Sequence, residues 1–380
     1  MRNMSVVTTT ISDGAFLASV AAATVQHGSM DRIVVYVVGD INTNCRCKEE
    51  CRRWNAEGFD FRYVDVDEQE EFLRQFPILK DAIPFRSDNR RNVGYLMALR
   101  DGGDILISID DDNLPIAGSP FFENHAQVGL ELELKEVAGK RSWFNVGCLL
   151  DTKTARGEAL TIYPRGFPYR ERMIDHSSVC GQEVTGICGA NLGLWLGDPD
   201  VDAPTRLTTR CVSSMKDDCA YFVAGGQRTP ISSQNCAFVR EATCAAYYWR
   251  MGSSQGIRMG RYGDMFGGYC MQLCLEAAGY RLRVGSPFVE QRRNEHDLMG
   301  DLLQEIPGMV ILEDLCRVLE QPLSRTRDMG AAYLELSDVL LSWAKIKKTR
   351  VLWELELESY FTEIAEVMHA WVEACAELER

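Results

Sequence analysis

A chain of 380 residues with 46% hydrophobic and 25% charged residues has globular composition and is long enough for one large domain or two smaller ones. Its formal net charge of -14 argues against binding to a nucleic-acid backbone, because that binding needs dense Lys and Arg to neutralise phosphates. No run of about eighteen uncharged apolar residues occurs, and residues 1–10 lack the pattern of a signal peptide, so we expect neither a membrane span nor export.

The first third of the chain alternates short apolar runs with helical patterns, which is typical of a parallel α/β sheet. The predicted strands are residues 5–10, 33–38, 61–66 and 105–109, and the predicted helices are residues 16–26, 48–58, 67–76 and 92–100. The run 105–109 is apolar throughout, as expected for a central strand that is buried on both faces.

The remainder of the chain is predicted in less detail. Residues 142–150 and 187–195 have strand-like patterns, and a glycine-rich stretch, 251–268, leads into a helix at 269–278 and a short strand at 281–284. After residue 297 the pattern is helical, and residues 351–378 form an amphipathic segment that we expect to pack as a helical appendage.

The fourteen cysteines are scattered along the chain instead of forming the framework of a small secreted domain. They predict reduced, mostly buried thiols in a cytoplasmic protein. The one tight group, Cys45, Cys47 and Cys51, contains no CxxC pair and has no nearby His, so it does not predict a zinc site.

Three consecutive aspartates, Asp110, Asp111 and Asp112, directly follow the predicted central strand. Ionised carboxylates are costly to bury without a cation or donors, and ligands of open α/β sheets bind at the carboxyl ends of the strands. Alternation along an extended chain would point Asp110 and Asp112 to one side, where they could share Mg²⁺ or Mn²⁺ with substrate phosphates. The alternative is an exposed acidic turn that caps a following loop.

Several segments, in this order along the chain, resemble the plant reversibly glycosylated polypeptides, which are UDP-arabinopyranose mutases. The matching segments are residues 92–95, 108–112, 165–168, 193–196, 199–205 and 260–265, and the terminal segment 370–374 is also similar. The resemblance implies a GT-A fold, a Rossmann-like α/β domain with a mixed central sheet. We expect that domain to span residues 1–300, with a helical region, 301–380, packed on it.

The resemblance also implies a reaction. The family binds a UDP-sugar with Mn²⁺ or Mg²⁺ and interconverts the pyranose and furanose forms of the sugar. It also attaches the sugar reversibly to one of its own arginines, and the matching position is Arg165. From its chemistry alone, Arg165 is more simply a clamp for a diphosphate or a carboxylate, since a guanidinium is a poor nucleophile.

Further residues are assigned partly by the resemblance and partly by their type. Asp264 is the second catalytic candidate, acting as a base or steadying an oxocarbenium-like sugar, or else capping the following helix. Gln291 stands where the family has a His that could complete the metal shell, and His296 is the substitute we consider. The substrate-binding candidates are Thr10, Asp40, Arg86, Arg90, Tyr95, Asp111, Trp195, Asp200, Asp202 and Asn235.

Each substrate-binding candidate has a structural alternative. At least one of Arg86, Arg90 and Arg91 is expected to be a solvated surface charge, and the others would hold a diphosphate near a helix start. Asp200 and Asp202 could instead satisfy backbone donors in a turn, Trp195 could be core, and Asn235 could be a buried amide.

Two departures from the family concern the reaction. Val38 replaces a family aspartate beside the expected base-recognising Asp40, and Gly263 replaces an aspartate just before Asp264. We therefore carry three hypotheses: a mutase, a glycosyltransferase that uses an external acceptor, and a non-catalytic partner of such an enzyme. Whether the protein forms homo- or hetero-oligomers is left open.

Overall fold

The structure is a computed structural model, and it describes residues 2–174, 179–250, 260–293, 297–347 and 357–380. The strands are β1 (Met4–Thr9), β2 (Ile33–Val38), β3 (Asp60–Val64), β4 (Ile105–Ile109), β5 (Asn113–Pro115), β6 (Glu131–Ala138), β7 (Leu150–Thr154), β8 (Val179–Gly197), β9 (Cys211–Met215), β10 (Ala220–Val223), β11 (Asn235–Val239) and β12 (Arg281–Gln291). The helices are α1 (Leu17–His27), α2 (Arg46–Ala56), α3 (Val66–Leu73), α4 (Pro77–Ala82), α5 (Arg91–Arg100), α6 (Phe121–His125), α7 (Tyr169–Arg172), α8 (Ala203–Thr208), α9 (Gly263–Ala277), α10 (Leu298–Leu319), α11 (Met329–Ile346) and α12 (Leu357–Leu378).

The N-terminal half of the sheet is parallel, in the order β3-β2-β1-β4. In the middle of this half, Val6 of β1 lies between Val35 of β2 and Ile107 of β4. All five residues of β4 are buried, which confirms the prediction of a central strand. Because the parallel strands run in one direction, their carboxyl ends share one edge of the sheet.

The C-terminal half of the sheet mixes strand directions. β11 is antiparallel to β4 and also to β8, and β12 runs parallel to β8. β12 in turn is antiparallel to β5, the short strand just after the acidic triplet. A mixed central sheet followed by helices confirms the predicted α/β fold class.

The C-terminal helices do not form a core of their own. Buried hydrophobic residues of α10, α11 and α12 belong to the same hydrophobic cluster as those of the sheet, and α12 contacts both α4 and α5. The indole of Trp371 is buried, its Nε1 donates to the carbonyl of Thr243 at 2.8 Å, and its ring lies 5.5 Å from that of Tyr247. Residues 351–356 of the predicted amphipathic segment lie outside the described residues.

Four of the elements predicted after residue 140 differ from the structure. The strand predicted at 142–150 is wrong, because the Asn145 side chain accepts from the N–H of Gly147 and starts a 3₁₀ turn at Val146–Leu149. The helix predicted at 269–278 begins six residues earlier, at Gly263, within the stretch expected to be glycine-rich loop. The strands predicted at 187–195 and 281–284 are parts of the longer β8 and β12.

Two expectations about the chain as a whole can be compared with the structure. All fourteen cysteines are free thiols, and among them Cys45, Cys180 and Cys219 are exposed. Within the described ranges, no helix is both long enough and apolar enough to cross a bilayer.

The packing of α12 gives a test of the helical region. Replacing Trp371 by Ala should lower the free energy of unfolding by about 3 to 5 kcal/mol, because it leaves a cavity and an unpaired Thr243 carbonyl. Equilibrium denaturation in urea measures the change. Glu373→Ala, at an exposed position on the same helix, is the control and should change stability by about 0.5 kcal/mol or less. An equal effect of the two substitutions would contradict the docking of α12.

Candidate active site

A cavity of about 390 Å³ opens at the carboxyl ends of the parallel strands. It lies between the ends of β1, β2 and β4, the start of α5, the start of α9 and the end of β12. Ten of the predicted site residues line it: Thr10, Asp40, Arg86, Arg90, Asp110, Asp111, Asp112, Arg165, Asp264 and Gln291. The topology therefore brings together residues that are up to 281 positions apart in the sequence.

The acidic triplet forms a turn at the end of β4. The strand ends at Ile109, and the N–H of Asn113 donates to the carbonyl of Asp110 at 3.1 Å. The chain does not stay extended here, so the alternation used to separate Asp111 from its neighbours does not apply. All three carboxyl groups line the cavity, and Asp111 accepts a hydrogen bond from the hydroxyl of Thr10 at 2.5 Å.

Asp110 is held by Arg91, a buried residue at the start of α5. One Nη of Arg91 donates to Asp110, and the other donates to the Ser108 hydroxyl at 2.7 Å and to the Ser233 carbonyl at 2.9 Å. Burial raises the pKa of Asp110 to about 7; Arg91 opposes this increase, and Asp112 adds to it. The side chain of Asp110 keeps 28% of its accessible surface, so a ligand in the cavity can still reach it.

The residues that could hold a metal form an open set of oxygen donors. The main-chain carbonyl of Asp112 accepts from the N–H of Arg292 at 2.8 Å, which places the end of β12 beside the triplet. Here the amide of Gln291 is buried, and neither its oxygen nor its nitrogen has a hydrogen-bond partner. Among the described residues, no group of three His, Cys, Asp or Glu could by itself hold a metal ion.

This donor set fits Mg²⁺ or Mn²⁺, which bind through one or two carboxylates and take their other ligands from phosphates and water. The orphaned amide of Gln291 supports the fit, because a buried polar group without a partner is otherwise costly. His296, the other predicted ligand, lies outside the described residues.

Arg165 is gripped by two carboxylates. Asp200 accepts from Nε and Nη2, both at 3.1 Å, and Asp264 accepts from Nη1 at 3.0 Å and Nη2 at 2.9 Å. Nη1 also donates to the main-chain carbonyl of Arg261. These contacts engage all five N–H groups of the guanidinium. Burial would lower the pKa of Arg165, but Asp200 and Asp264 outweigh it and raise that pKa well above its ordinary value.

Asp200, which is one of the two carboxylates that grip Arg165, does not line the cavity, and neither does Asp202. For Asp200, burial opposes ionisation, yet Arg165 and Arg293 together lower its pKa. Asp202 accepts from the N–H of Thr205 at 3.0 Å and caps α8, as its structural alternative proposed.

Three other predicted substrate contacts also lie outside the cavity lining. The hydroxyl of Tyr95 donates to Ser108 at 2.8 Å, beneath the triplet. Trp195 is buried in the core. The side chain of Asn235 is buried and bonds to the ring of His125 and the carbonyl of Pro287. Their roles in binding a substrate stay predictions.

The arginines of the cavity differ in exposure. Arg86 is exposed and has a φ of 54°, whereas Arg90 is buried, donates to Gln69 at 2.7 Å and lies over the ring of Phe85. The solvated charge expected among the arginines before α5 is therefore Arg86. Sequence reasoning missed Arg293, which is largely buried and lines the cavity 3.6 Å from Asp200. The sequence signal that could have identified Arg293 is its position two residues after Gln291, a predicted metal ligand.

The end of the cavity next to β2 contains Asp40. Its carboxylate accepts from the N–H groups of Ile41 at 2.6 Å and Ser87 at 3.1 Å, and so joins the loop after β2 to the segment before α5. Val38, where the resemblance implies an aspartate, lines the cavity beside it.

The sequence profile described as "Reversibly glycosylated polypeptide" matches residues 54–380. The chain belongs to this family. It is 25% identical over 329 residues to UDP-arabinopyranose mutase 1 of Arabidopsis thaliana, covering 85% of this chain and 81% of that protein. It is 26% identical over 332 residues to a probable UDP-arabinopyranose mutase 1 of Pisum sativum, covering 85% of this chain and 79% of that protein.

Solved structures with a similar backbone are more distant. A glucosyl-3-phosphoglycerate synthase of Mycobacterium tuberculosis, in complex with Mn²⁺, UDP-glucose and phosphoglyceric acid, has a TM-score of 0.41 and 14% identity, covering 82% of this chain and 79% of that one. A mannosyltransferase of Pyrobaculum calidifontis, in complex with GDP-Man and Mn²⁺, has a TM-score of 0.39 and 12% identity, covering 100% and 87%. Similarities this weak carry no weight for the function of this chain.

The ion pair between Asp200 and Arg165 predicts how the free energy of unfolding depends on pH. Asp200→Asn should lower the free energy of unfolding at pH 7 by about 3 to 5 kcal/mol, because it breaks a buried ion pair. The folded-state pKa of Asp200 lies below its ordinary value of 3.8. Its contribution is therefore complete above the unfolded-state pKa and is lost as the pH falls through the folded-state pKa. Denaturation curves from pH 7 to pH 3 should show the two proteins converging.

Asp198→Asn is the matched control for this experiment. Asp198 lies two residues away and also pairs with Arg293, but its side chain keeps 38% of its accessible surface. Its loss should cost about 1 kcal/mol or less. A deficit in Asp200→Asn that stays constant down to pH 3 would show that Asp200 is not a stabilising anion.

Proposed function

We propose that this protein is a metal-dependent UDP-sugar enzyme that interconverts the pyranose and furanose forms of the sugar. The observation that carries the proposal is the meeting of the acidic triplet, Gln291 and the Arg165–Asp264 pair in one cavity of a chain that belongs to this family. The relatives named as UDP-arabinopyranose mutases suggest the substrate class.

The residues that line the cavity form three groups, one at each end and one in the middle. At the end next to β2, Asp40 and Arg90 would hold the nucleoside, with Thr10 and Asp111 beside it. In the middle, Asp110, Asp112 and Gln291 would hold Mn²⁺ or Mg²⁺. When bound, the metal would neutralise the charge that develops on the diphosphate as the anomeric bond breaks.

At the other end, Arg165 and Asp264 would receive the sugar. As the bond between the anomeric carbon and the diphosphate breaks, the bonding electrons leave with the UDP, and the sugar is left electron-deficient. Arg165 neutralises much of the charge of Asp264, and Asp200 shares that cation, so the group of three carries a net negative charge. A negative environment stabilises the cationic sugar. For the ring form to change, another hydroxyl oxygen of the sugar bonds to the anomeric carbon, the bond from that carbon to the former ring oxygen breaks with its electrons going to that oxygen, and the hydroxyl proton passes to it. The diphosphate oxygen then bonds to the anomeric carbon again.

We expect the metal site to control binding of the nucleotide. Asp110→Asn and Asp112→Asn should each weaken Mn²⁺-dependent binding of UDP by about 100-fold or more, measured by calorimetry. Asp104→Asn is the control: Asp104 is an exposed aspartate just before the other end of β4, and its loss should leave the affinity unchanged. If UDP bound equally well to the native protein and to all three variants, with and without Mn²⁺, the assignment of the metal site would be wrong.

The reaction itself is tested by incubating the protein with Mn²⁺ and a panel of nucleotide-sugars. A ring-isomerised nucleotide-sugar, formed without any acceptor, would support the mutase. Slow release of free sugar alone would support the transferase described below. Binding without any turnover would support the non-catalytic partner. Uridine and guanosine nucleotides belong in the panel because Val38 lines the cavity beside Asp40.

The second candidate is a glycosyltransferase that hands the sugar to an external acceptor. The state of Arg165 favours it, because a fully hydrogen-bonded guanidinium with a raised pKa has no free donor and no nucleophilic lone pair. Gly263 also occupies the position where the resemblance implies a further aspartate.

Self-glycosylation of Arg165 has its own test. For a C–N bond to form, an Nη–H proton must pass to a carboxylate, and Asp264 already accepts from both Nη atoms. We expect intact-mass measurement after incubation with UDP-sugar and Mn²⁺ to show one added sugar on the native protein and none on Arg165→Lys. Arg170→Lys, at a half-exposed arginine outside the cavity, should retain the adduct. An adduct that survives Arg165→Lys, or no adduct at all, would remove this claim.

We further propose that the protein works in the cytoplasm. Fourteen free thiols suit a reducing compartment.

A further inference from the structure

The two aspartates that grip Arg165 come from different parts of the chain. Asp200 lies in the loop between β8 and α8, and Asp264 lies in the first turn of α9. Each segment also contacts α10, the first helix of the C-terminal region. The grip therefore depends on how these two segments are held relative to each other.

One buried carboxylate on α10 bonds to both segments. Oε1 of Glu305 accepts from Nε of Arg261 at 2.9 Å, three residues before Asp264. Oε2 of Glu305 accepts from the N–H of Ala203 at 2.8 Å, three residues after Asp200. Glu305 is fully buried, so water does not compete for these contacts.

The backbone around Arg261 is adapted to this contact. Arg261 has a φ of 61°, a left-handed conformation that is unfavourable for a residue with a side chain. In this conformation its carbonyl accepts from Arg165 while its side chain reaches Glu305. Such strain persists only where the surroundings fix it, and Glu305 supplies part of that fixation.

The same face of α10 makes further contacts with this segment. The N–H of Gly260 donates to the carbonyl of Gln304 at 2.9 Å, and Asp301 lies 3.3 Å from the Arg261 guanidinium. A Cβ on Gly308 would meet the ring of Tyr262 at 2.4 Å. Positions 301, 304, 305 and 308 lie on one side of the helix, so this side is shaped to hold residues 260–262.

We infer that Glu305 is a positioning residue of the active site, because it ties together the two segments whose aspartates orient Arg165. Glu305 makes no hydrogen bond or ion pair with Arg165 and does not line the cavity. It acts through the carbonyl of Arg261 and the placement of Asp200 and Asp264. The inference concerns the same site as the proposed function, but the arrangement of Arg165 can be measured without any reaction.

The test is the chemical accessibility of Arg165. In Glu305→Gln the side-chain amide can accept from only one of its two present donors, so one segment is released. Labelling with phenylglyoxal, quantified by peptide mass, should become about tenfold faster or more at Arg165, because opening follows the loss of a charge-assisted hydrogen bond. Labelling of Arg53, an exposed arginine, should not change and serves as the internal reference.

Two further variants keep the test decisive. Glu320→Gln removes a half-buried carboxylate just beyond the C-terminal end of α10, where it pairs with Arg170, and should leave the labelling of Arg165 at the native rate. Ala203→Pro removes the N–H that donates to Glu305 and leaves Glu305 itself unchanged. Proline is tolerated there because Ala203 is the first residue of α8. This variant should speed labelling of Arg165 even if Glu305→Gln fails to fold.

The outcomes separate positioning from general stability. Faster labelling confined to Arg165, in a protein whose near-UV circular dichroism is native, supports the inference. Unchanged labelling in both Glu305→Gln and Ala203→Pro, or faster labelling of every arginine, would overturn it. If turnover is found, Glu305→Gln should lower kcat with little change in KM. If no turnover is found, the proposed function fails while the labelling result still stands.

Discussion

Repulsion among the carboxylates at the carboxyl ends of the parallel strands is the constraint on which the rest of this structure depends. The cavity brings together the three carboxylates of the triplet and that of Asp264, with Asp200 directly behind them. Burial raises the pKa of Asp110 and the neighbouring carboxylates raise it further, while Arg91 opposes both. Carboxylates this close need cations to compensate their charge. Buried arginines meet this need at two points: Arg91 at Asp110, and Arg165 between Asp200 and Asp264.

The two arginines are used differently. Arg91 bonds to one carboxylate and otherwise to neutral oxygens, so it fixes the end of β4 against α5. Arg165 is bonded to two carboxylates and so leaves a negative charge in place. In the function we propose, the first arrangement would leave Asp110 able to bind a divalent cation, and the second would suit an electron-deficient sugar. An acidic protein can therefore bind an anionic nucleotide-sugar if a cation comes with it.

Much of the fold and part of the site could be predicted from the sequence. The parallel strands can be predicted because short apolar runs alternate with helical patterns. The triplet stands out because three carboxylates directly after a buried strand need a partner. The strand predicted at 142–150 failed because a single Asn side chain, at Asn145, competes for the backbone and turns it. The early start of α9 was missed because its first six residues include three glycines, and tertiary packing overrides their low helix propensity.

Within the site, local pattern identified residue types but not their partners. The chemistry of Arg165 predicts a clamp for a diphosphate or a carboxylate, and only the three-dimensional contacts show that carboxylates saturate it. The sequence predicts Asp264 as a helix cap or a base, and the structure shows that it is an ion-pair partner. These contacts join residues that are 35 and 99 positions apart, which no periodicity in the sequence reports.

The role of the C-terminal helices follows from the same geometry. Tertiary packing, not local sequence, decides where residues 260–264 lie, and α10 contributes to it through its contacts with Gly260 and Arg261. A helical region that appeared from its periodicity to be an appendage therefore shares the hydrophobic core and reaches the active site through Glu305. The left-handed backbone at Arg261 is unfavourable and needs contacts that fix it. The geometry around Arg165 therefore requires α10, the helix that supplies these contacts. The site is thus a property of the whole chain and not of its first 300 residues alone.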